Sequence, residues 1–213
     1  AATARSVDFD GSGDYLSLAS SADFSMGTGD YTIEAWFIAT AHSETLWTLG
    51  DYSNGQELFF HSNGSVRLYA NGFIINSDTN YIKLGQWYHS AVVRDSGTVK
   101  LYINGALIGS ASQSGNMPSN GNGPFYVGAE ASPGGGTIGN FWPGKISNLR
   151  VVKGTAVYTS SFRPPTAPLT NITNTKLLCC NDSSTTGSTV TPGTITANGD
   201  PTASTDSPFD DPA

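Results

Sequence analysis

The residues able to do chemistry in this chain are few and scattered. His89 stands in WYHSAVV (87–93), among aromatics and aliphatics. Acid–base or nucleophilic work through such a ring needs a proton donor or nucleophile within reach, and a carboxylate to orient it. No serine-centred elbow lies nearby. The sequence therefore reads His89 as a core histidine, satisfied by backbone or by a buried polar partner. The four glutamates are Glu34, Glu44, Glu57 and Glu130. Hydrolysis of a glycosidic bond needs two carboxyls about 5 Å apart, or about 6.5–9.5 Å for the inverting route. None of the four has a carboxylate two residues away, which excludes a pair carried on one strand. A pair assembled from different strands stays open.

Other polar groups have two readings each. Glu34 in YTIEAWF shares a strand face with Thr32 and Trp36, while Tyr31, Ile33, Ala35 and Phe37 form the other face. It is either a ligand-binding acid or a structural partner for an Arg or Lys. Asp10 and Asp14 bracket the turn DGSGD, with Asp23 and Asp30 as further loop acids. Cys179 and Cys180 are adjacent in TKLLCC and read as buried, inert thiols. Asn63, Asn171 and Asn181 begin N-x-S/T sequons.

The elements that must position these residues are strands. Short runs such as YTIEAWFI, SVRLYA, WYHSAVVR and KISNLRVV alternate apolar and polar residues between Gly, Asn, Asp and Pro turns. No segment holds a helical period over ten residues. Gly numbers 25 and Pro 11, and only 13% of residues are charged. That composition favours an all-β chain of two packed antiparallel sheets. In the meander 87–109, a three-residue DSG loop would pair Arg94 with Thr98 and His89 with Ile103. An NG turn would pair Ile103 with Ala106 and Leu101 with Ile108. This register places His89 inward with Ala91 and Val93, and Tyr88, Ser90, Arg94, Lys100 and Tyr102 outward. FRPPTAPL (162–169) reads as an extended strap over one sheet, since proline removes ladder donors. Two regions follow: a domain over 1–180, and a Ser/Thr/Gly/Pro-rich arm or linker over 181–213 with a weak strand at GTITA.

The net charge of −7 leaves no basic patch for nucleic acid, and no apolar run is long enough to span a membrane as a helix. SVDFDGSGDYLSL, YTIEAWF, GQWYHSAVVRDSGTVKLYINGALIG and FWPGKISNLRVVKGTAVYTSSFRPPTAPL occur in the order of a laminin G-like, concanavalin A-like jelly roll. The resemblance spans about residues 5–170. The closing segment resembles those of bacteriophage tail, fibre and virion-surface proteins. TKLLCC and the segment after it are similar to structural proteins of marine cyanophages.

The resemblance implies a two-sheet sandwich on a virion surface or otherwise extracellular. Its role would be non-enzymatic: adhesion to host-surface glycans or decoration of the particle. A purely structural virion component contacting other virion proteins or further copies of itself is the alternative, and a glycoside hydrolase a third reading. Related jelly rolls hold Ca²⁺ with loop oxygens, so Asp10 and Asp14 become calcium candidates beside the plain reading of a solvated turn. Glycan binding in such folds uses an exposed aromatic platform, for which Trp142, Trp47, Tyr52 and Tyr69 are candidates. The family also places an aromatic before the closing Gly as a core cap, which gives Trp142 a packing role instead. A carboxylate of the family pattern is replaced here by Ser147 and Asn148.

Overall fold

The computed structural model describes residues 5–70, 72–119 and 121–210, so the outermost residues of the expected domain and arm, 1–4 and 211–213, lie outside the described residues. The first half of the chain carries β1 (Ser6–Asp10), β2 (Tyr15–Leu18), β3 (Tyr31–Ala39), β4 (Glu44–Leu49), β5 (Gln56–Phe60), β6 (Val66–Tyr69), β7 (Phe73–Asn76), β8 (Trp87–Asp95) and β9 (Thr98–Ile103). The second half carries β10 (Ala106–Ser112), β11 (Phe125–Val127), β12 (Glu130–Ala131), β13 (Ile138–Gly139), β14 (Pro143–Lys153), β15 (Thr175–Cys179), β16 (Ser188–Val190), β17 (Thr196–Asn198) and β18 (Thr202–Ser204). Helical structure among the described residues is confined to two short 3-10 turns, Ala22–Phe24 and Pro133–Gly135.

Two antiparallel sheets form the sandwich. One runs β10-β9-β8-β3-β14-β1-β18, with β15 and β16 continuing from β14; the other runs β17-β2-β11-β4-β5-β6-β7. The alternation read from the sequence explains them. On β3, Tyr31, Ile33, Ala35 and Phe37 face the facing sheet and are buried in the core, while Thr32, Glu34 and Trp36 take the other face. Trp47 and Trp142 are completely buried, with Trp142 edge-on to Phe37 and Phe60 and Trp47 stacked on Phe125.

The meander departs from its expected register by one residue. Asp95 pairs with Thr98, Arg94 with Val99 and Ser90 with Ile103, which closes the hairpin with two residues instead of three. Ser96 and Gly97 both take positive φ (51° and 80°), the combination a two-residue type I′ turn requires. A one-residue slip exchanges the faces. Tyr88, Ser90, Val92 and Arg94 therefore turn toward the sandwich, and His89, Ala91 and Val93 turn away from it. Arg94 is buried, donating through Nη1 to the carbonyls of Gly27 and Gly115. On the next hairpin Ile103 pairs with Ala106 as expected. A bulge at Leu107–Gly109 sets Gly109, and not Ile108, opposite Leu101.

His89 is nonetheless buried, because the outer face of this sheet has its own cover. The segment 154–170 crosses it, placing Tyr158 and Phe162 in stacked contact above His89, Ala91, Val93 and Tyr102. Glu34 lies beneath. Its Oε1 accepts from Arg150 Nε at 2.9 Å and Nη2 at 2.6 Å; its Oε2 accepts from His89 Nε2 at 3.1 Å and Tyr158 OH at 2.8 Å. Arg150 also donates through Nη1 to the Thr170 carbonyl, tying down the far end of the strap. Glu34 is thus the structural partner of an arginine, one of its two expected readings. Burial alone would raise its pKa, but the hydrogen bond from His89 and the Arg150 charge outweigh burial and lower it.

Ser147 still pairs with Trp36, and Asn148 and Leu149 form a bulge in β14 where its partner changes from β1 to β15. Asn148, at φ 52°, donates its backbone N–H to the Cys180 carbonyl and accepts from Leu169 N–H. Cys179 and Cys180 are buried free thiols with sulfurs 3.8 Å apart. The segment after residue 181 enters both sheets: β16 pairs with β15, β17 with β2 and β18 with β1. Its strands extend well beyond the one expected at GTITA.

Glu34→Gln leaves the Arg150 guanidinium buried without its counter-charge. Urea denaturation should show a loss on the order of 3–5 kcal/mol. The same linkage gives the wild type an acid limb. Glu34 has a depressed folded pKa, so its contribution is complete above the unfolded carboxylate pKa of about 4.3 and is lost as pH falls below it. The variant should lack that limb. Equal stabilities at pH 7 would remove Glu34 from its structural role.

Candidate functional site

Among the described residues, no strap crosses the outer face of the seven-stranded sheet. Its pairing aligns one row of outward side chains across six strands: Thr196, Ser17, Tyr126, Thr48, Glu57 and Tyr69. Strands lie about 4.8 Å apart, so Tyr126 and Tyr69, three strands apart, are separated by roughly 14 Å. The β12–β13 hairpin folds over the middle of this row. Thr48 Oγ1 pins it by donating to the Ala129 carbonyl at 2.9 Å.

On one side of the hairpin lies a cavity of about 310 Å³, lined by Tyr52, Glu57, Phe59, Tyr69, Glu130 and Asn140. Tyr52 and Tyr69 stand nearly perpendicular, at 85° with ring centroids 6.1 Å apart. The Tyr52 backbone is held by the turn before it. Asp51 Oδ1 accepts from the N–H groups of Ser53 and Asn54, and Tyr52 N–H donates to the Ala131 carbonyl. Burial would raise the Asp51 pKa, but the hydrogen bonds from Asn54 and Ser53 lower it. Glu57 is buried, and its Oε2 has no hydrogen-bond partner among the described residues. Burial first, and the Glu130 charge second, push its pKa up to about 8. Glu130 is oriented by Asn140 Nδ2, which donates to its Oε2 at 2.7 Å. On the other side of the hairpin a second recess, of about 600 Å³, is lined in part by Tyr15, Ser17, Tyr126, Ile138 and Thr196. There Tyr15 stacks on Phe141 and leans on Tyr126.

The four aromatic candidates therefore separate. Tyr52 and Tyr69 meet in the cavity. Trp47 and Trp142 do not serve as a platform: both are fully buried between the sheets, so neither offers a ring face to a ligand. Glu57 and Glu130, weighed in the sequence only as hydrolytic carboxyls, and Asn140, which the sequence does not single out, join Tyr52 and Tyr69 in the cavity. The signal for Glu57 was present in QELFF, where Glu57 and Phe59 share the face opposite Leu58 and Phe60.

Asp10 and Asp14 also come together, and a third carboxylate joins them. One oxygen from each of Asp10, Asp14 and Asp200 lies within 4.8 Å of the others. Asp14 is buried and accepts from the N–H groups of Asp10 and Asp200. Such a group of acids could hold a metal ion. Asp23 and Asp30 are elsewhere: Asp23 pairs with Lys176, and Asp30 accepts from Ser96 N–H. Gly199 makes the approach of Asp200 possible, since at φ +73° an added Cβ would lie 2.3 Å from Asp14 Oδ1.

Comparison with known proteins agrees with this architecture. A family model described as laminin G-like, of the concanavalin A-like lectin/glucanases superfamily, matches residues 10–157. A heptameric SAP-like pentraxin from Limulus polyphemus is similar over 98% of both chains, at 16% identity and a TM-score of 0.66. A proposed carbohydrate-binding protein from Bacteroides ovatus is similar over 95% of this chain and 60% of its own, at 16% identity and a TM-score of 0.65. The CBM40 of the Ruminococcus gnavus IT-sialidase, bound to α2,3-sialyllactose, is similar over 62% of this chain and 80% of its own, at 16% identity and a TM-score of 0.51. No curated protein sequence matches. At these identities the likeness establishes the fold.

Gly199→Ala should disturb the acidic group from a distance in sequence. The left-handed backbone alone costs about 1–2 kcal/mol for a residue with a Cβ, and the clash with Asp14 adds to it. Thermal denaturation of the variant should show a lowered midpoint; an unchanged midpoint would mean that the 199–200 turn is not held as described.

Proposed function

The chain belongs to the concanavalin A-like lectin/glucanases superfamily, and from that premise we propose that it is a non-catalytic glycan-binding module whose site is the outer face of the seven-stranded sheet. The observation that carries this reading is the cavity in which Tyr52 and Tyr69 meet Glu57, Glu130 and Asn140. Apolar ring faces with a few fixed polar groups are what a concave ligand site requires. The second recess at Tyr15 and Tyr126, on the same row of the sheet, gives an extended glycan a further place to rest. The fold neighbours include a protein bound to sialyllactose, which supports a saccharide as the ligand class.

In this reading the module sits outside the cell on a phage particle, a role that the resemblance of its closing segment to virion-surface proteins supports. Many copies there would turn a weak single site into firm adhesion. Host glycans and neighbouring virion proteins are the partners it would meet. A second reading, hydrolysis, draws on Glu57 and Glu130 lining one cavity from different strands. Release of reducing sugar that is lost in both Glu57→Gln and Glu130→Gln would establish it.

The acidic group supports a calcium site. Asp10, Asp14 and Asp200 supply carboxylate oxygens for a hard cation that takes six to eight oxygen ligands. Bound there, the ion would link the β1–β2 turn to the segment between β17 and β18. Calcium should then raise the melting temperature of the full chain, since a ligand of the native state stabilises it by mass action. Asp200→Asn should abolish most of that rise. No difference between calcium and chelator would remove the ion from the account.

For the glycan site, Tyr52→Ala and Tyr69→Ala should each weaken binding to an arrayed oligosaccharide by about tenfold, the effect of losing roughly 1.4 kcal/mol. Changes on the strap face such as Arg163→Ala should leave it unaltered. A multivalent display that binds no glycan and no host cell would shift the role to structural decoration.

A further inference from the structure

Resting on the glycan reading, we infer that the Tyr52–Tyr69 cavity selects a cationic group, the free ammonium of an amino sugar, over neutral or anionic sugars. Three observations converge on it. The first is the pair of tyrosine rings set nearly perpendicular and edge to face, 6.1 Å apart, which gives the cavity an aromatic corner. Ring faces carry negative potential and attract a cation that reaches within about 6 Å of their centres. The second is Glu57, 4% exposed, which lines the cavity with its Oε2 lacking any hydrogen-bond partner among the described residues. A buried carboxyl oxygen with nothing to bond is costly to the empty protein, and a cation beside it relieves that cost. The third is Glu130, a second carboxylate on the rim, held in place by Asn140. No lysine or arginine is among the described residues that line the cavity.

An anionic sugar would meet the Glu130 charge, with no lysine or arginine among the described residues that line the cavity to offset it, which disfavours it in a recessed site. A neutral sugar would stack on the rings yet gain nothing from the charge. An ammonium fits both.

The proton inventory follows from the groups around Glu57. Glu130 faces it across the cavity, Thr48 and Tyr69 flank it on the neighbouring strands, and Tyr52 and Asn140 close the rim. Arg67 lies beyond, opposite Phe59, with its Nε donating to Ser65 Oγ. Asp51 is turned into the Ser53–Asn54 turn. Burial and the Glu130 charge keep Glu57 protonated in the empty cavity near neutral pH. A cation favours the ionised form, so its binding expels this proton and strengthens as pH rises toward 9.

Calorimetry on the full chain tests this with three probes. A glucosamine oligosaccharide at pH 6.5 should bind at least about tenfold more tightly than its N-acetylated counterpart. Tetramethylammonium, which does not titrate, should bind weakly and with affinity rising several-fold between pH 6 and 9. Glu57→Gln should erase both the preference and the pH dependence, so that the two oligosaccharides bind within about twofold of each other. Tyr52→Leu, at a half-buried position, gives a second variant that should lose tetramethylammonium binding. Equal affinity for the two oligosaccharides, or preference for a sialylated one, overturns the inference and leaves the glycan reading standing. Tetramethylammonium binding without any oligosaccharide binding does the reverse. No binding by any probe overturns both.

Discussion

Four hydrogen bonds on one buried carboxylate organise the larger sheet. Glu34, on β3, accepts from Arg150 on β14, His89 on β8 and Tyr158 on the strap. Three adjacent strands and the covering segment are thereby tied at a single point. A charge removed from water is tolerated only when its partners are close and complete, and here each carboxylate oxygen has two donors. The consequence reaches outward. With the strap fastened, Tyr158 and Phe162 close that face of the sheet over Ala91, Val93 and Tyr102. Among the described residues, no such segment crosses the outer face of the other sheet.

That asymmetry gives the two faces different work. The covered sheet resembles a second, smaller core. The open sheet carries a straight row from Thr196 to Tyr69, interrupted by a hairpin that makes two recesses of one surface. The strands hold the ring positions, and the hairpin brings polar groups, Glu130 and Asn140, to the rings. Rigid strands with an added loop of this kind let recognition residues vary while the scaffold stays the same. The C-terminal segment joins both halves, pairing with β15, β2 and β1 and delivering Asp200 to Asp10 and Asp14.

Much of this was legible in the sequence because a strand's period of two is hard to disguise. The faces of β3 followed from alternation and the strap from its prolines, whereas His89 is buried under the strap and not between the sheets where alternation placed it. The meander register did not follow, because DSG closes a hairpin with either two or three residues, and only the positive φ of Ser96 decides between them. Arg94 was consequently placed on the wrong face. Aromatic character alone did not distinguish Trp47 and Trp142, which pack, from Tyr52 and Tyr69, which line a cavity; burial depends on which loop crosses which strand. Asp200 was hidden for another reason. It lies in a polar tail with no apolar pattern, and its pairing with Asp14 spans most of the chain.

The most direct test of the account is to map where an oligosaccharide lands, by recording amide chemical-shift changes of the full chain as sugar is added. The largest changes should fall at Tyr52, Glu57, Tyr69 and Glu130, with a weaker set at Tyr15 and Tyr126. Changes gathered instead at Tyr158 and Phe162, on the strap-covered face, would contradict the claim that the open sheet is the binding surface.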